Sequence, residues 1–194
     1  MNRDNLIELI ENVTNAKQQF RNDCAQQIIQ NPELFRYLLY ETFNVENKLS
    51  VKCAWILEWI CTHYGFSLLL PHLEYFTKHL HKLKEDGALR TCAKVCEYLG
   101  VAYNAKTSNE IQTTLTNHQI DSIIEVGFDW LISPQKVAVK AYTMRSLYEF
   151  GLHRDWVHPE LAHIIRTDVI HQSKGIKARG KLILNLISKN KKSS

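Results

Sequence analysis

The stretches Asn31-Pro32-Glu33-Leu34, Leu70-Pro71-His72-Leu73 and His158-Pro159-Glu160-Leu161 each open an apolar pattern of helical period. Some way after each proline comes a second pattern built on an alanine: Val51-Lys52-Cys53-Ala54, Arg90-Thr91-Cys92-Ala93 and Gly175-Ile176-Lys177-Ala178. The proline-to-alanine distances are 22, 22 and 19 residues. The first two prolines lie 39 apart and the second and third 88 apart, which is two periods of 44. Self-similarity at this spacing marks a helical repeat, because one helix pair cannot bury its apolar faces alone and must stack on a neighbour.

Working outward, apolar periodicity predicts ten helices, at about 4–12, 15–30, 31–44, 49–64, 72–84, 86–100, 119–132, 133–150, 159–172 and 175–188. Thr14 and Asn31 are the expected N-caps of the second and third. Pro32 suits a first helical position, where its missing N–H is not needed. Gly65 is the expected stop of the fourth, whose stripe is Cys53, Ile56, Leu57, Ile60, Cys61 and Tyr64. Residues 104–119 are polar, rich in Thr and Asn, and carry no expected helix. They account for the long step in the alanine series Ala25, Ala54, Ala93, Ala141, Ala178, whose spacings are 29, 39, 48 and 37. From the third onward the helices pair in order. Each second helix has a small residue near its start and, six residues on, Ile60, Leu99, Leu147 or Leu184. The expected fold is all-α: an α-α superhelix of about ten helices in stacked antiparallel pairs, as one domain over 1–188 with a basic, disordered tail at 189–194. Ala54, Ala93 and Ala141 are expected to be buried where paired helices touch.

Composition agrees with this class. The chain has 194 residues, 45% apolar and 23% charged, and its seven Gly and four Pro are too few for a many-turned β protein. The N-terminal pattern is broken by Glu8 and Glu11, unlike a secretory leader. The most apolar stretch, Cys53 to Leu70, contains Glu58 and His63, so no membrane span and a cytoplasmic location are expected. Cys24, Cys53, Cys61, Cys92 and Cys96 show no C-x-x-C spacing, and three of them directly precede a repeat alanine. Reduced, buried thiols are the expectation. The net charge of +4 is uneven. Seven basic residues and no acid follow Asp168, whereas the first 168 residues hold 17 basic and 20 acidic side chains, a net of −3. The basic end suits either a solubilising cap for the last repeat or an anchor for an acidic ligand.

No Gly-rich phosphate loop, Gly-x-Ser-x-Gly or His-Glu-x-x-His occurs, and no two of the nine histidines are three or four apart on one helix. No catalytic residue, metal ligand or cofactor is therefore expected. Trp55 and Trp59, one helical turn apart, are either core packing or an aromatic platform. The second helices carry a series of cations, Lys52, Arg90, Lys94, Lys140, Arg145, Lys177, Arg179 and Lys181, mixed with Glu58, Glu97 and Glu149. Together with the two tryptophans these are the candidate binding residues.

The run Asp86-Gly87-Ala88-Leu89-Arg90-Thr91-Cys92-Ala93 resembles the start of the second helix in HEAT and armadillo-like repeats: an acid, then a basic residue, then alanine. Residues 159–184 are the next best match, and the resemblance covers about 31–188. Ala141 and Ala178 lack the basic residue three positions earlier, and the third unit has no matching proline. The resemblance implies a concave face lined by second helices that binds a protein or peptide. Its alternative implication is nucleic acid, as in the HEAT-like alkylpurine DNA glycosylases, with Trp55, Trp59, Arg90 and Asp129 as candidate contacts. The chain is also similar to short helical proteins labelled adenylosuccinate lyase. The signature loop of that enzyme family, ending Met-Pro-x-Lys-x-Asn, has no counterpart here.

Overall fold

Helices and the short 3-10 turns that join them form the framework of the computed structural model, which describes residues 1–15 and 17–190; no strand occurs among the described residues. The α-helices are α1 (Arg3–Glu11), α2 (Gln18–Gln30), α3 (Phe35–Thr42), α4 (Ser50–His63), α5 (Leu73–His79), α6 (Asp86–Tyr103), α7 (Glu110–Thr114), α8 (Asn117–Ile132), α9 (Val137–Phe150), α10 (Val157–Thr167) and α11 (Lys174–Asn190). The fold is thus all-α. The chain divides into two compact units, Met1–Val95 and Cys96–Ser194. In the first unit α3 packs on α4, α2 on α4, and α1 against α3. In the second, α8 packs on α9 and α10 on α11, while α9 also meets both α10 and α11.

Local chemistry explains most boundaries. Gly65 follows the end of α4 at φ +88, the left-handed conformation that glycine adopts without a steric cost. Asn31 does not cap the following helix. Its Nδ2 donates back to the Gln27 carbonyl at 2.9 Å and so closes α2, while Pro32 opens a 3-10 turn, Pro32–Leu34, ahead of α3. Thr14 is not the N-cap of α2, which starts only at Gln18 with Lys17 in that position. The helix expected over 72–84 is split into α5 and a 3-10 turn, Leu80–Lys82, and α6 runs three residues past Gly100. The polar stretch 104–119 contains α7, which periodicity misses because it is too short to have a face. A capping box announces it: the Asn109 side chain accepts from the backbone N–H groups of Ile111 and Gln112, and the Gln112 side chain accepts from the Asn109 N–H. Lys189 and Asn190 belong to α11, and the rest of the expected tail, residues 191–194, lies outside the described residues.

The core of the first unit is built from Leu34, Phe35, Leu38, Ile56, Ile60 and Phe76, and that of the second from Ile120, Ile124, Leu147, Phe150, Leu161 and Ile183, all fully buried. The alanine register holds in the first half of the chain and fails in the second. Ala25, Ala54 and Ala93 are buried, but Ala141 is half-buried and Ala178 is exposed. In α9 the inward stripe is Val139, Thr143, Met144 and Leu147, and the small residue at the contact is Gly127 of α8. A Cβ there would lie 3.0 Å from Leu147 Cδ2. In α11 the stripe is Ile176, Gly180, Ile183 and Ile187, two positions away from Ala178.

All five cysteines are buried. Burial pushes the Cys24 thiol up to about 12, and the Cys53, Cys61 and Cys92 thiols still further above their ordinary value. The thiolate is the reactive form, so alkylation of the native protein at Cys53, Cys61 and Cys92 should be slow and should become fast in denaturant. Rapid native modification at any of the three, followed by mass spectrometry, would refute their inert role.

Candidate functional site

The second helices of the pairs do bring some of the expected residues together, but through acids that the cation series leaves unused. In the first unit the centre is Glu58 of α4, whose side chain is only 5% exposed. Lys94 of α6 donates to its Oε1 at 2.6 Å, and Arg21 of α2 donates to Oε2 at 3.3 Å. The Thr62 hydroxyl is 3.3 Å from Oε1. The Arg21 guanidinium also lies 4.4 Å from the Trp59 ring centre, and His63 stacks on the same indole at 3.7 Å. The Trp59 N–H donates to Asn22 Oδ1, which also accepts from the Tyr64 hydroxyl at 2.6 Å. Trp59 is 5% exposed and therefore packs rather than offering a stacking platform. A carboxylate so far out of water persists because two cations and a hydroxyl replace its hydration.

The second unit repeats the theme with different side chains. Arg145 of α9 meets Glu149 one turn on at 2.5 Å, and Glu149 is buried. Its Oε2 accepts from Asn104 Nδ2 at 3.0 Å, and Asn104 Oδ1 lies 2.6 Å from His153 Nε2. The Asn104 amide nitrogen is spent on Glu149, so its oxygen is the acceptor and His153 Nε2 carries the proton. Burial and the neighbouring Arg154 lower the pKa of His153 and favour that neutral ring. Arg179 of α11 donates to Glu97 Oε1 at 3.1 Å and to the Ala141 carbonyl at 3.3 Å. The other Glu97 oxygen, Oε2, is buried and accepts nothing. Burial raises the Glu97 pKa against the pull of Arg179 and Arg145.

Trp59 and Lys94 thus share one cluster, and Arg145 and Arg179 another. The remaining candidates stand apart. Lys52 donates to the Glu11 carbonyl at 3.3 Å, a cation at the C-terminal end of α1. Trp55 is half-buried with its indole nitrogen beside Gly87. Lys140 is buried, with Asp168 Oδ2 at 3.9 Å. Arg90, Lys177 and Lys181 are exposed. Of the four candidate nucleic-acid contacts, Trp55, Trp59 and Arg90 belong to the first unit and Asp129 to the second. Reading by cations misses Arg21, Asn22, Asn104 and His153. Glu58, Glu97 and Arg145 nevertheless share a signal, since each stands four residues after a repeat alanine.

The raised Glu97 pKa fixes the sign of one pH effect. The folded state holds a proton on Glu97 above the pH at which the unfolded chain loses it, so stability falls as pH rises from the ordinary glutamate range to the folded value. Glu97→Gln should flatten that limb of the stability profile and leave the protein at least as stable near neutrality, measured by urea denaturation across pH. A variant with an unchanged slope would show that Glu97 titrates normally.

Among the described residues no three His, Cys, Asp or Glu side chains are grouped to hold a metal, and no helix is long and apolar enough to cross a membrane. No family model, curated protein or solved structure matches the chain.

Proposed function

We propose that the chain is a non-enzymatic interaction scaffold of the cytoplasm, a HEAT- or armadillo-like solenoid whose second helices α4, α6, α9 and α11 line a concave face that takes a protein or peptide. Glu97 carries this reading. It has an oxygen out of water with no donor, beside two arginines whose side chains are 28% and 29% exposed. A buried acceptor left open costs free energy. A partner side chain or backbone N–H that donates to Glu97 Oε2 recovers it, and the arginines donate to that partner's carbonyls or acids. Trp59, sealed by Arg21 and His63, supports this reading over the nucleic-acid alternative, which needs an open aromatic surface for a base.

Photocrosslinking tests it. A photoreactive residue at position 94 or 145 should yield a discrete protein adduct in cells, and one at exposed Lys78 of α5 should not. Adducts with nucleic acid alone transfer the reading to the glycosylase-like alternative. An absence of adducts at both second-helix positions refutes the proposal.

A further inference from the structure

Phe128 and Trp156 form an aromatic surface that no part of the proposed binding row uses. Their rings stack with centres 5.5 Å apart at 28°, yet Trp156 is 54% exposed. Ile132, one turn after Phe128 on α8, is 63% exposed and extends the apolar patch. Tryptophan left half in water beside an exposed isoleucine is the composition of a docking centre rather than of ordinary surface.

The rim of this patch is mainly acidic. Asp121, Glu125 and Asp129 stand at i, i+4 and i+8 on α8, which has no Lys or Arg. Arg154 is committed to Asp121 at 2.7 Å and to Asn117 Oδ1 at 3.0 Å, so it neutralises only the first acid. Glu125 and Asp129, Asp155 beside Trp156, and Glu160 one turn further along α10 are exposed. The occupant this surface fits is an apolar residue flanked by cations on one helical face.

The same unit supplies such a face. Helix α11 has no acidic residue, and Lys174, Lys177, Ala178, Lys181 and Leu182 are exposed along it, with Leu182 44% exposed at its middle. We propose that the Phe128–Ile132–Trp156 surface docks the basic face of α11 from a second copy of this chain. Leu182 would cover the aromatic pair, and Lys177 and Lys181 would meet Glu125 and Asp129. The two faces are unlike, so the contact is heterologous and joins copies head to tail. A charged rim makes it steered, salt-sensitive and of modest affinity.

Sedimentation of the full chain from low-micromolar to near-millimolar concentration is the test. Wild type should associate as concentration rises, and association should largely vanish at about 0.5 M salt, where surface charges are screened. Glu125→Lys with Asp129→Lys, and separately Lys177→Glu with Lys181→Glu, should each remain monomeric. An equimolar mixture of the two should regain association, because native faces meet native faces and reversed meet reversed. Trp156→Ala should weaken association about tenfold or more while helicity by circular dichroism stays unchanged. A wild type that stays monomeric throughout overturns the proposal and leaves the acidic aromatic face to a cationic segment of another protein. Association that survives both charge reversals, or a mixture no better than its parts, overturns it as well.

Discussion

Replacing Glu58 with alanine should destabilise the folded chain by about 2–3 kcal/mol. The carboxylate is nearly out of water and is the common counter-charge of Lys94 at 2.6 Å and Arg21 at 3.3 Å. Removing it leaves two cations facing each other across the gap where it stood. Breaking a fully buried pair costs about 3–5 kcal/mol, but Arg21 and Lys94 are 20% and 27% exposed and recover part of their hydration. That brings the loss below the range for a fully buried pair. Lys94→Ala should cost less, on the order of 1 kcal/mol, because Glu58 keeps Arg21 and the Thr62 hydroxyl. Arg21→Ala should fall between the two, since the guanidinium also covers the Trp59 ring at 4.4 Å. Urea denaturation of the three variants gives the ranking directly. A Glu58→Ala loss below about 0.5 kcal/mol, the scale of ordinary surface changes, would mean that the triad is solvated.

The same triad shows what the sequence made legible and what it did not. Helix existence followed from apolar period, and the first-half register followed from Cys-Ala pairs whose alanines are indeed buried. Cations on second helices suggest a shared groove, so the sequence points to cations as binding residues. The structure instead buries the acids Glu58 and Glu149 and wraps cations around them. Sequence spacing cannot show which member of an ion pair lies inside: Arg145 and Glu149 share one helical face, and Arg21, Glu58 and Lys94 stand on three different helices. Arg21 escapes the repeat spacing because α2 precedes the first proline-led pair. Its place four residues before Ala25 is visible only once α2 is known to pack on α4. Trp130 and Trp156 both stand near helix ends, yet Trp130 is buried and Trp156 is open, a difference set by which face of α8 and which end of α10 meet their neighbours.

The register shift in α11 leads to the second large effect. The repeat spacing puts Ala178 at the contact, whereas in the structure Ala178 is exposed and Gly180 is buried against α10 and the turn that follows it. A Cβ on Gly180 would lie 3.0 Å from Ile165 Cγ2 and 3.1 Å from Val169 Cγ1. Gly180→Ala sets a gain of about 1 kcal/mol in helix propensity against that tight contact, so the two effects nearly cancel. Gly180→Leu keeps the same gain but forces three further carbons between fully buried Ile165 and Val169. Overpacking of this kind costs about 1–3 kcal/mol and more where neighbours cannot move. The net expectation is a loss of about 2 kcal/mol. Ala178→Leu, on the exposed side of the helix, should stay within about 0.5 kcal/mol of wild type. Thermal or urea midpoints for the two leucine variants decide between the registers. If Ala178→Leu is the damaging change and Gly180→Leu the silent one, the repeat spacing is right in the last helix and α11 is rotated from the position described.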